Sequence, residues 1–562
     1  MYLRQKMPHV CIQRRIKTEY IPQYIPTQNS IKQKNVVIEY KELLINRYKI
    51  RQQIQKILTK CKESDMITVA KKKEEFEMSV LGHLQSDQVF YYFEEITKIP
   101  HGSGNEAALA QYIADFAKER NLEHSIDKAG NVVVKKPAFA GYENAPGVIF
   151  QGHIDMVCEK LGSVEHDFTK DPLQLEIDDD FIRAKGTTLG ADNGIAVAYM
   201  LAMLDHKDLP SPAIEAVFTT EEETGMGGAV AFDASDLKGK YFINMDSEEE
   251  GKFLISCCGG RRVRLNLPIE QEAKQADTVA YTLQIKGLKG GHSGSDIHLQ
   301  RANSNKLMGR LLQELCDKDV TYAISEINGG RMDNAICRET AAVLVLTEAE
   351  AQKAAKVITD METLLKKEYR HTDADMIITW EKATNAVNQV FTEKVKQNCI
   401  AVLLLIPYGV QTMSLDIDGL VESSSNIGVV ETAEKAVYFD SAVRSAVASR
   451  KELICNQIKA IADLAGATVE SSNDYPGWVY DANSQLLKFL EDAYRATSGK
   501  EPELMALHAG VECGMFAEKM PGLDMVSLGP DMYDVHTPEE RLSISSTERT
   551  WEFLKEALKR MK

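Results

Sequence analysis

Two kinds of hydrophobic pattern alternate along the chain from about residue 87 onward. Apolar residues at helical spacing predict two helices within 87–121, separated by a break at Ile99–Gly104. Short apolar runs bounded by turn residues predict strands at Val132–Val134, Val148–Gln151, Ile214–Thr219 and Tyr241–Met245. Gly194–Leu204 is apolar throughout and predicts a buried helix. This alternation of strands and helices indicates an α/β layer with a largely parallel sheet.

The pattern changes near residue 261 and changes back near residue 475. Between these points, strands are predicted at Thr278–Lys286, Ala341–Leu346, Met376–Glu381 and Ala436–Ala442, and long helices at 301–316, 348–369, 389–404 and 450–465. Afterwards the first pattern returns, with a helix at 482–497 and a strand at Met525–Leu528. We therefore predict a discontinuous α/β domain, built from residues 78–260 and 473–562, with an inserted α+β domain at 261–472. No internal repeat is evident in the sequence.

The composition is that of a globular protein, with 44% hydrophobic and 27% charged residues among 562. The net charge of −17 leaves no positive footprint for a nucleic-acid backbone, so we expect no nucleic-acid partner. The ten cysteines are scattered without a CxxC pair, which is typical of reduced thiols in a cytosolic, cytoplasmic protein. The apolar run Cys399–Pro407 is far shorter than the ~20 residues that span a bilayer, and we expect no membrane partner.

The first 77 residues differ in charge from the rest of the chain. They carry 17 Lys and Arg against 8 Asp and Glu, whereas residues 78–562 have a net charge of −26. Only a weak helix is predicted here, at Tyr40–Lys60. One interpretation is a basic arm that binds nucleic acid or an anionic surface. We favour another, in which Met78 is the true start, because Lys72–Glu75 can be encoded by a purine-rich string of the kind that binds a bacterial ribosome.

Four clusters of acidic or histidine side chains fall where predicted strands end or a helix begins. They are Gln151–Asp155, Gly190–Gly194, Glu221–Gly225 and Asn244–Ser247. Each alone is more typical of a surface pair, a helix cap or a solvated face. Together they fit a ligand crevice at the carboxyl ends of strands, where a divalent cation compensates the repulsion between carboxylates. A His, Asp and Glu set without Cys suits zinc, manganese or cobalt in a catalytic role.

Several strings carry a resemblance to a known family. FQGHIDMV, GTTLGADNGIAVA, FTTEEETGMGGA, INMDSEEEG, GGHSGSDIH and VHTPEERL resemble those of the aminoacylase-type di-metal peptidase superfamily. The full set is most similar to its aminoacyl-histidine dipeptidase branch, also called Xaa-His dipeptidase or cytosolic non-specific dipeptidase. INMDSEEEG and LHAGVECGMF favour that branch over tripeptidase-like, deacetylase-like and desuccinylase-like relatives. The resemblance covers about 78–562 in the expected order and does not extend to 1–77.

The resemblance implies two divalent metal ions per subunit, with zinc favoured and cobalt or manganese as alternatives. It assigns their ligands as His153 and Asp246 for one ion, Glu223 and His536 for the other, and Asp192 as the bridge. Two such ions polarise a scissile carbonyl and lower the pKa of water.

Two further residues near these ligands take roles by the same resemblance. Asp155 would brace His153, since positions i and i+2 of a strand share a face and a carboxylate can orient a ligating imidazole. Glu222 would be the general base, which takes a proton from water and passes it to the leaving amine. A one-residue slip among Glu221, Glu222 and Glu223 stays open.

The inserted domain supplies three of the remaining candidates. By resemblance it is a lid that also mediates dimerisation, and His292 would donate to the oxyanion, in its own or the partner's active site. Asn334 and Arg444 would bind substrate, with Arg444 suited to a carboxylate, although Cys337 stands where the family often has Pro. His508 and Glu512 would line the substrate pocket.

The resulting expectation is a cytosolic, homodimeric metallo-dipeptidase that hydrolyses dipeptides with a free amino terminus, including Xaa-His. One alternative is an N-acyl-amino-acid deacylase or another amidohydrolase on the same scaffold. A second alternative is a non-catalytic metal-binding protein, which the intact Glu222 and ligand set disfavour.

The Met78 hypothesis predicts the peptide map of the native protein. We expect peptides from residues 78–562 and none from residues 1–77. Peptides from 1–77 at full stoichiometry would contradict it.

Overall fold

The computed structural model describes residues 79–84, 86 and 88–562. The basic segment 1–77 and the helix predicted at Tyr40–Lys60 lie outside the described residues.

The described residues form both strands and α-helices. The strands are β1 Glu123–Ile126, β2 Val132–Lys136, β3 Val148–His153, β4 Leu175–Asp178, β5 Phe181–Ala184, β6 Ile214–Thr219, β7 Tyr241–Asn244, β8 Lys252–Cys257, β9 Gly259–Pro268, β10 Gln271–Ala273, β11 Val279–Lys286, β12 Ala323–Gly329, β13 Thr340–Leu346, β14 Ile377–Lys382, β15 Gln389–Phe391, β16 Gly409–Met413, β17 Val421–Thr432, β18 Ala436–Ser445, β19 Thr468–Tyr475, β20 Glu503–Leu507, β21 Asp524–Ser527, β22 Met532–Tyr533 and β23 Arg541–Ser543. The helices are α1 Val89–Thr97, α2 Ala107–Glu119, α3 Ala191–Asp205, α4 Gly227–Ala231, α5 Ser304–Asp317, α6 Glu348–Glu368, α7 Glu393–Leu405, α8 Ala448–Ala465, α9 Gln485–Ser498, α10 Glu512–Lys519 and α11 Ile544–Arg560.

The first sheet has eight strands in the order β1-β2-β6-β3-β7-β21-β8-β20. Its centre is parallel, from β6 through β3 and β7 to β21. Every residue of β3 and β6 is buried, which is typical of parallel strands that are covered on both faces. The predicted parallel sheet is therefore confirmed for the centre. The pairs β1–β2, β2–β6 and β21–β8 are antiparallel, and a short turn joins β1 to β2, a connection that only antiparallel neighbours can use.

Helix α3 packs against this sheet as the predicted buried helix. Each residue from Gly194 to Leu204 is buried, which confirms that prediction. The predicted strand Ile214–Thr219 coincides with β6, and the strand predicted at Val148–Gln151 extends to His153. Since β3, β6 and β7 are parallel neighbours, their carboxyl ends meet at one edge of the sheet.

The second sheet has nine strands and a mirrored order that the sequence did not reveal. Eight of them run β14-β11-β13-β12-β17-β18-β9-β19, and β16 pairs with β17 at the side. One half contains β11, α5, β12, β13, α6 and β14, and the other contains β9, α7, β17, β18, α8 and β19 in the equivalent chain order. The halves meet where β12 pairs with β17.

Two predictions inside the second sheet need correction. The helix predicted at 389–404 divides into β15 and α7, because Thr392 follows the strand and stands at the N-cap of the helix. β17 was not predicted at all, because its run of serines lacks the apolar signature of a strand. Ser423, Ser424 and Ser425 are nevertheless buried, since pairing with β18 satisfies their backbone groups.

The α/β architecture agrees with the prediction. The second sheet begins at Gly259 and ends at Tyr475, and the predicted boundaries of the insertion at 261 and 472 stay a prediction. Among the described helices, none combines the length and hydrophobicity needed to cross a bilayer. The eight cysteines in the described part of the chain are free thiols.

Candidate metal centre

His153 ends strand β3 and is held from both sides of its ring. Its Nδ1 lies 3.0 Å from the backbone oxygen and 3.3 Å from Oδ1 of Asp155. Its Nε2 lies 3.1 Å from Oδ1 of Asp192 and 3.5 Å from Oδ1 of Asp246. The imidazole therefore presents one nitrogen to a pair of carboxylates while the other is fixed by Asp155.

His536 faces the same aspartate from the opposite side. Its Nε2 lies 3.1 Å from Oδ2 of Asp192 and 2.9 Å from Oε1 of Glu223. Asp192 thus turns one carboxylate oxygen toward each histidine. Hydrogen bonds to Asp192 and Glu223 raise the pKa of His536 to about 10.

Three groups of side chains are placed closely enough to hold a cation. Within each group the ligand atoms lie within 4.8 Å of one another: His153, Asp192 and Asp246; Asp192, Glu223 and His536; and His153, Glu222 and Glu223. The first two groups share Asp192. All five ligands expected from the sequence are thus brought together.

Negative charge is crowded in this cluster. Burial, with the charges of Asp192 and Glu222, raises the pKa of Asp246 well above its usual value despite the opposing effect of His153. Burial raises the pKa of Glu222 to about 6, and His153 opposes this shift. Burial alone would lower the pKa of His153, but Asp246, Asp155 and Asp192 raise it well above normal. A cluster of carboxylates and imidazoles in which negative charge is this crowded fits a divalent cation.

Asp155 holds more than the imidazole that the sequence analysis assigned to it. Its Oδ1 accepts a hydrogen bond from the backbone N–H of Glu222 at 3.0 Å, and its Oδ2 accepts one from that of Glu223 at 3.2 Å. The hydroxyl of Ser103 also donates to Oδ2, at 2.8 Å. Asp155 therefore ties the end of β3 to the turn that follows β6.

Asp192 differs from the other candidates in its local structure. It opens helix α3 rather than following a strand, and its peptide bond to Asn193 is cis. The backbone N–H groups around it donate to the carboxylate of Glu540, to which the sequence analysis gave no role. Glu540 lies within the string VHTPEERL, but nothing in that string indicates a partner near residue 190.

The candidate substrate-binding residues lie apart from the metal ligands, and we call them the second group: His292, Asn334, Arg444 and His508. Arg444 places Nη2 3.5 Å from Nε2 of His292, and its Nη1 donates to the hydroxyl of Tyr475 at 3.1 Å. Asn334 lies beside His292, since the N–H of Ser293 donates to its backbone oxygen at 2.8 Å. Among the described residues, no hydrogen bond or ion pair joins this group to the metal-ligand cluster.

His508 belongs to the second group as well. Its Nε2 lies 2.7 Å from the hydroxyl of Ser424, a contact that the sequence did not suggest. Burial and the charge of Arg444 lower the pKa of His508 to about 3 and also lower that of His292. Both imidazoles are therefore neutral at neutral pH.

Glu512 does not line an accessible surface. It is fully buried, and its Oε2 accepts hydrogen bonds from Gln151 at 2.5 Å and Thr219 at 2.8 Å. Burial raises its pKa to about 8. Gln151 of β3 and Thr219 of β6 hold one oxygen of the carboxyl group, and the role of Glu512 in lining the pocket stays a prediction.

Comparisons with known proteins find similar proteins along most of the chain. Residues 149–560 match the model of peptidase family M20/M25/M40. The chain is 36% identical over 482 residues to the cytosol non-specific dipeptidase of Escherichia coli (strain K12), covering 86% of this chain and 99% of that protein. Its fold matches the crystal structure of aminoacylhistidine dipeptidase from Vibrio alginolyticus with a TM-score of 0.82 and 39% identity, covering 86% of this chain and 98% of that one.

Asp155 accepts hydrogen bonds from Ser103, Glu222 and Glu223, and we call this arrangement the Asp155 clamp. Substitutions that weaken it should lower the stability of the protein in a graded way. Asp155→Asn places an amide group against the N–H groups of Glu222 and Glu223, and we expect it to lower the free energy of unfolding by about 1–3 kcal/mol. Ser103→Ala removes one hydrogen bond to the same carboxylate and should cost less, about 0.5–1.5 kcal/mol. Urea unfolding of the chelator-treated proteins measures both. Equal stability of Asp155→Asn and the parent would contradict the clamp.

Proposed function

The chain belongs to peptidase family M20/M25/M40, and we propose that it is a metal-dependent dipeptidase acting on dipeptides with a free amino terminus, including Xaa-His. The observation that carries this proposal is the carboxylate of Asp192, which faces a histidine with each of its two oxygens. The near full-length similarity to proteins named cytosol non-specific dipeptidase and aminoacylhistidine dipeptidase supports the choice of substrate.

We assign two divalent ions to the cluster, with zinc first and cobalt or manganese as alternatives. His153 and Asp246 would hold one, Glu223 and His536 the other, and Asp192 both, in keeping with the two donor groups that share Asp192. When bound, such ions polarise the scissile carbonyl and favour ionisation of water.

Glu222 is the proposed general base. Asp155 fixes its backbone, and burial brings its pKa to about 6, so the carboxylate is mostly ionised at neutral pH yet accepts a proton readily. It would take a proton from the attacking water and deliver it to the nitrogen of the leaving amine. This assignment leaves Glu223, whose Oε1 faces His536, as the ligand.

The second group of residues would bind the rest of the dipeptide. We assign the terminal carboxylate to the guanidinium of Arg444 and to Asn334, which lies beside His292. His292, neutral because burial and Arg444 lower its pKa, would donate its ring N–H to the developing oxyanion. His508 would complete the wall of the pocket, held by Ser424.

A cytoplasmic location and a homodimer through the inserted domain complete the proposal. The name of the Escherichia coli relative and the free thiols of the described chain support the location. The resemblance noted in the sequence supports the dimer, which light scattering of the purified protein measures.

Hydrolysis of Ala-His and β-alanyl-histidine tests the function. We expect the full chain to lose activity after chelation and to regain it when zinc, manganese or cobalt is added, because the carboxylate cluster needs a cation. A folded protein that cleaves N-acyl-amino acids but neither dipeptide with any metal would sink the proposal and favour the deacylase alternative.

Replacement of Glu222 tests its role. Glu222→Ala should lower kcat by about 10²–10⁴-fold, the range for loss of a general base, while metal content stays unchanged. Glu221→Ala is the matched control, since Glu221 is the exposed neighbour in the same turn and should retain activity. Loss of metal from Glu222→Ala, or inactivity of Glu221→Ala, would show that the roles are shifted by one residue.

A further inference from the structure

We infer that Glu540 is a positioning residue of the metal centre, whose buried carboxylate holds the segment 189–192, and with it Asp192, against the loop that carries His536. The inference rests on the proposed function only in taking Asp192 and His536 as metal ligands.

The carboxylate of Glu540 binds four consecutive backbone N–H groups. Its Oε2 accepts from Leu189 at 2.7 Å and Gly190 at 3.1 Å, and its Oε1 accepts from Ala191 at 2.8 Å and Asp192 at 3.3 Å. The side chain is 2% exposed, and within the described structure its carboxylate accepts hydrogen bonds from these backbone groups. A buried carboxylate that binds this many donors fixes the path of the backbone segment that supplies them.

Helix α3 has no cap of its own. Its N-cap residue is Gly190, in the left-handed region at φ 68°, and no side chain of the local sequence caps the helix. The first N–H groups of a helix lack partners within it, and Leu189 and Ala191 are too deeply buried for water to serve. Glu540 supplies the acceptors from about 350 residues away, and its negative charge suits a helix N-terminus.

The same residue belongs to the other side of the cluster. Glu540 follows His536 by four residues. Nε2 of His536 lies 3.1 Å from the carboxylate of Asp192, and Asp192 belongs to the segment whose N–H groups Glu540 binds. One carboxylate thus sets the backbone of Asp192 relative to the loop of His536. Asp155 has the same relation to Glu222 and Glu223, whose N–H groups it accepts.

Glu540→Gln separates this role from a merely structural one. The amide keeps the shape of the side chain but has one acceptor oxygen, and its NH₂ group must face backbone N–H groups. The neighbour Glu539→Gln is the matched control, because Glu539 is exposed and its carboxylate pairs only loosely with Arg183, at 3.7 Å.

The measurement is the dissociation constant of zinc for the full chain, obtained by competition with a chromophoric chelator. We expect Glu540→Gln to bind zinc about 10–100-fold more weakly, the range for loss of a group that orients a ligand, and Glu539→Gln to stay within about twofold of the parent. Glu540→Asp keeps the charge on a shorter side chain and should lie between the parent and Glu540→Gln.

Zinc affinity equal to that of the parent in folded Glu540→Gln would overturn the inference, even if its Tm falls. Failure of both Glu540 variants to fold, judged by circular dichroism, would make Glu540 a structural residue and overturn it as well. Because no substrate enters the measurement, a parent that binds zinc but cleaves no dipeptide would refute the proposed function and leave this inference standing.

Discussion

Repulsion among carboxylates at one edge of the first sheet is the constraint on which the site depends. Asp192, Glu222, Glu223 and Asp246 converge there around His153 and His536. Two like charges about 4 Å apart repel by about 4 kcal/mol at an effective dielectric of about 20, so the arrangement does not persist unless the backbone is held and positive charge is supplied. Burial, together with this crowding of negative charge, raises the pKa values of Asp246 and Glu222, and hydrogen bonds to Asp192 and Glu223 raise that of His536.

The backbone is held by carboxylates that are not themselves candidate ligands. Asp155 accepts the N–H groups of the turn after β6, and Glu540 accepts those at the start of α3. Both anions are buried, and both satisfy donors in segments that are neither strand nor complete helix. The irregular backbone at Asp192, Glu222 and Glu223 is thus stabilised by a second carboxylate, whereas His153 takes its position from the regular strand β3.

The sequence predicted those parts of the arrangement that depend on residues close together in the chain. The apolar run Ile214–Thr219 marks β6 residue for residue, and the family strings contain all five candidate ligands that the fold brings together. What the sequence could not supply depends on pairing between distant segments. The serine-rich segment Val421–Thr432 becomes a strand through pairing with β12, β16 and β18, and Glu540 accepts hydrogen bonds from residues some 350 positions away. The mirrored halves of the second sheet share topology without evident sequence similarity.

Those two halves decide how the second group of residues is assembled. His292 and Asn334 belong to the half that contains β11 to β14, whereas Arg444 lies on β18 of the other half. The seam between β12 and β17 is crossed by the side-chain amide of Asn426, which donates to the backbone oxygens of Asp333 at 2.8 Å and Ala335 at 2.9 Å, on either side of Asn334. These two hydrogen bonds of Asn426 and the contact between Arg444 and His292 join the halves within one polypeptide. The residues expected to bind substrate therefore meet inside a single chain, and association with a second copy is not what brings them together.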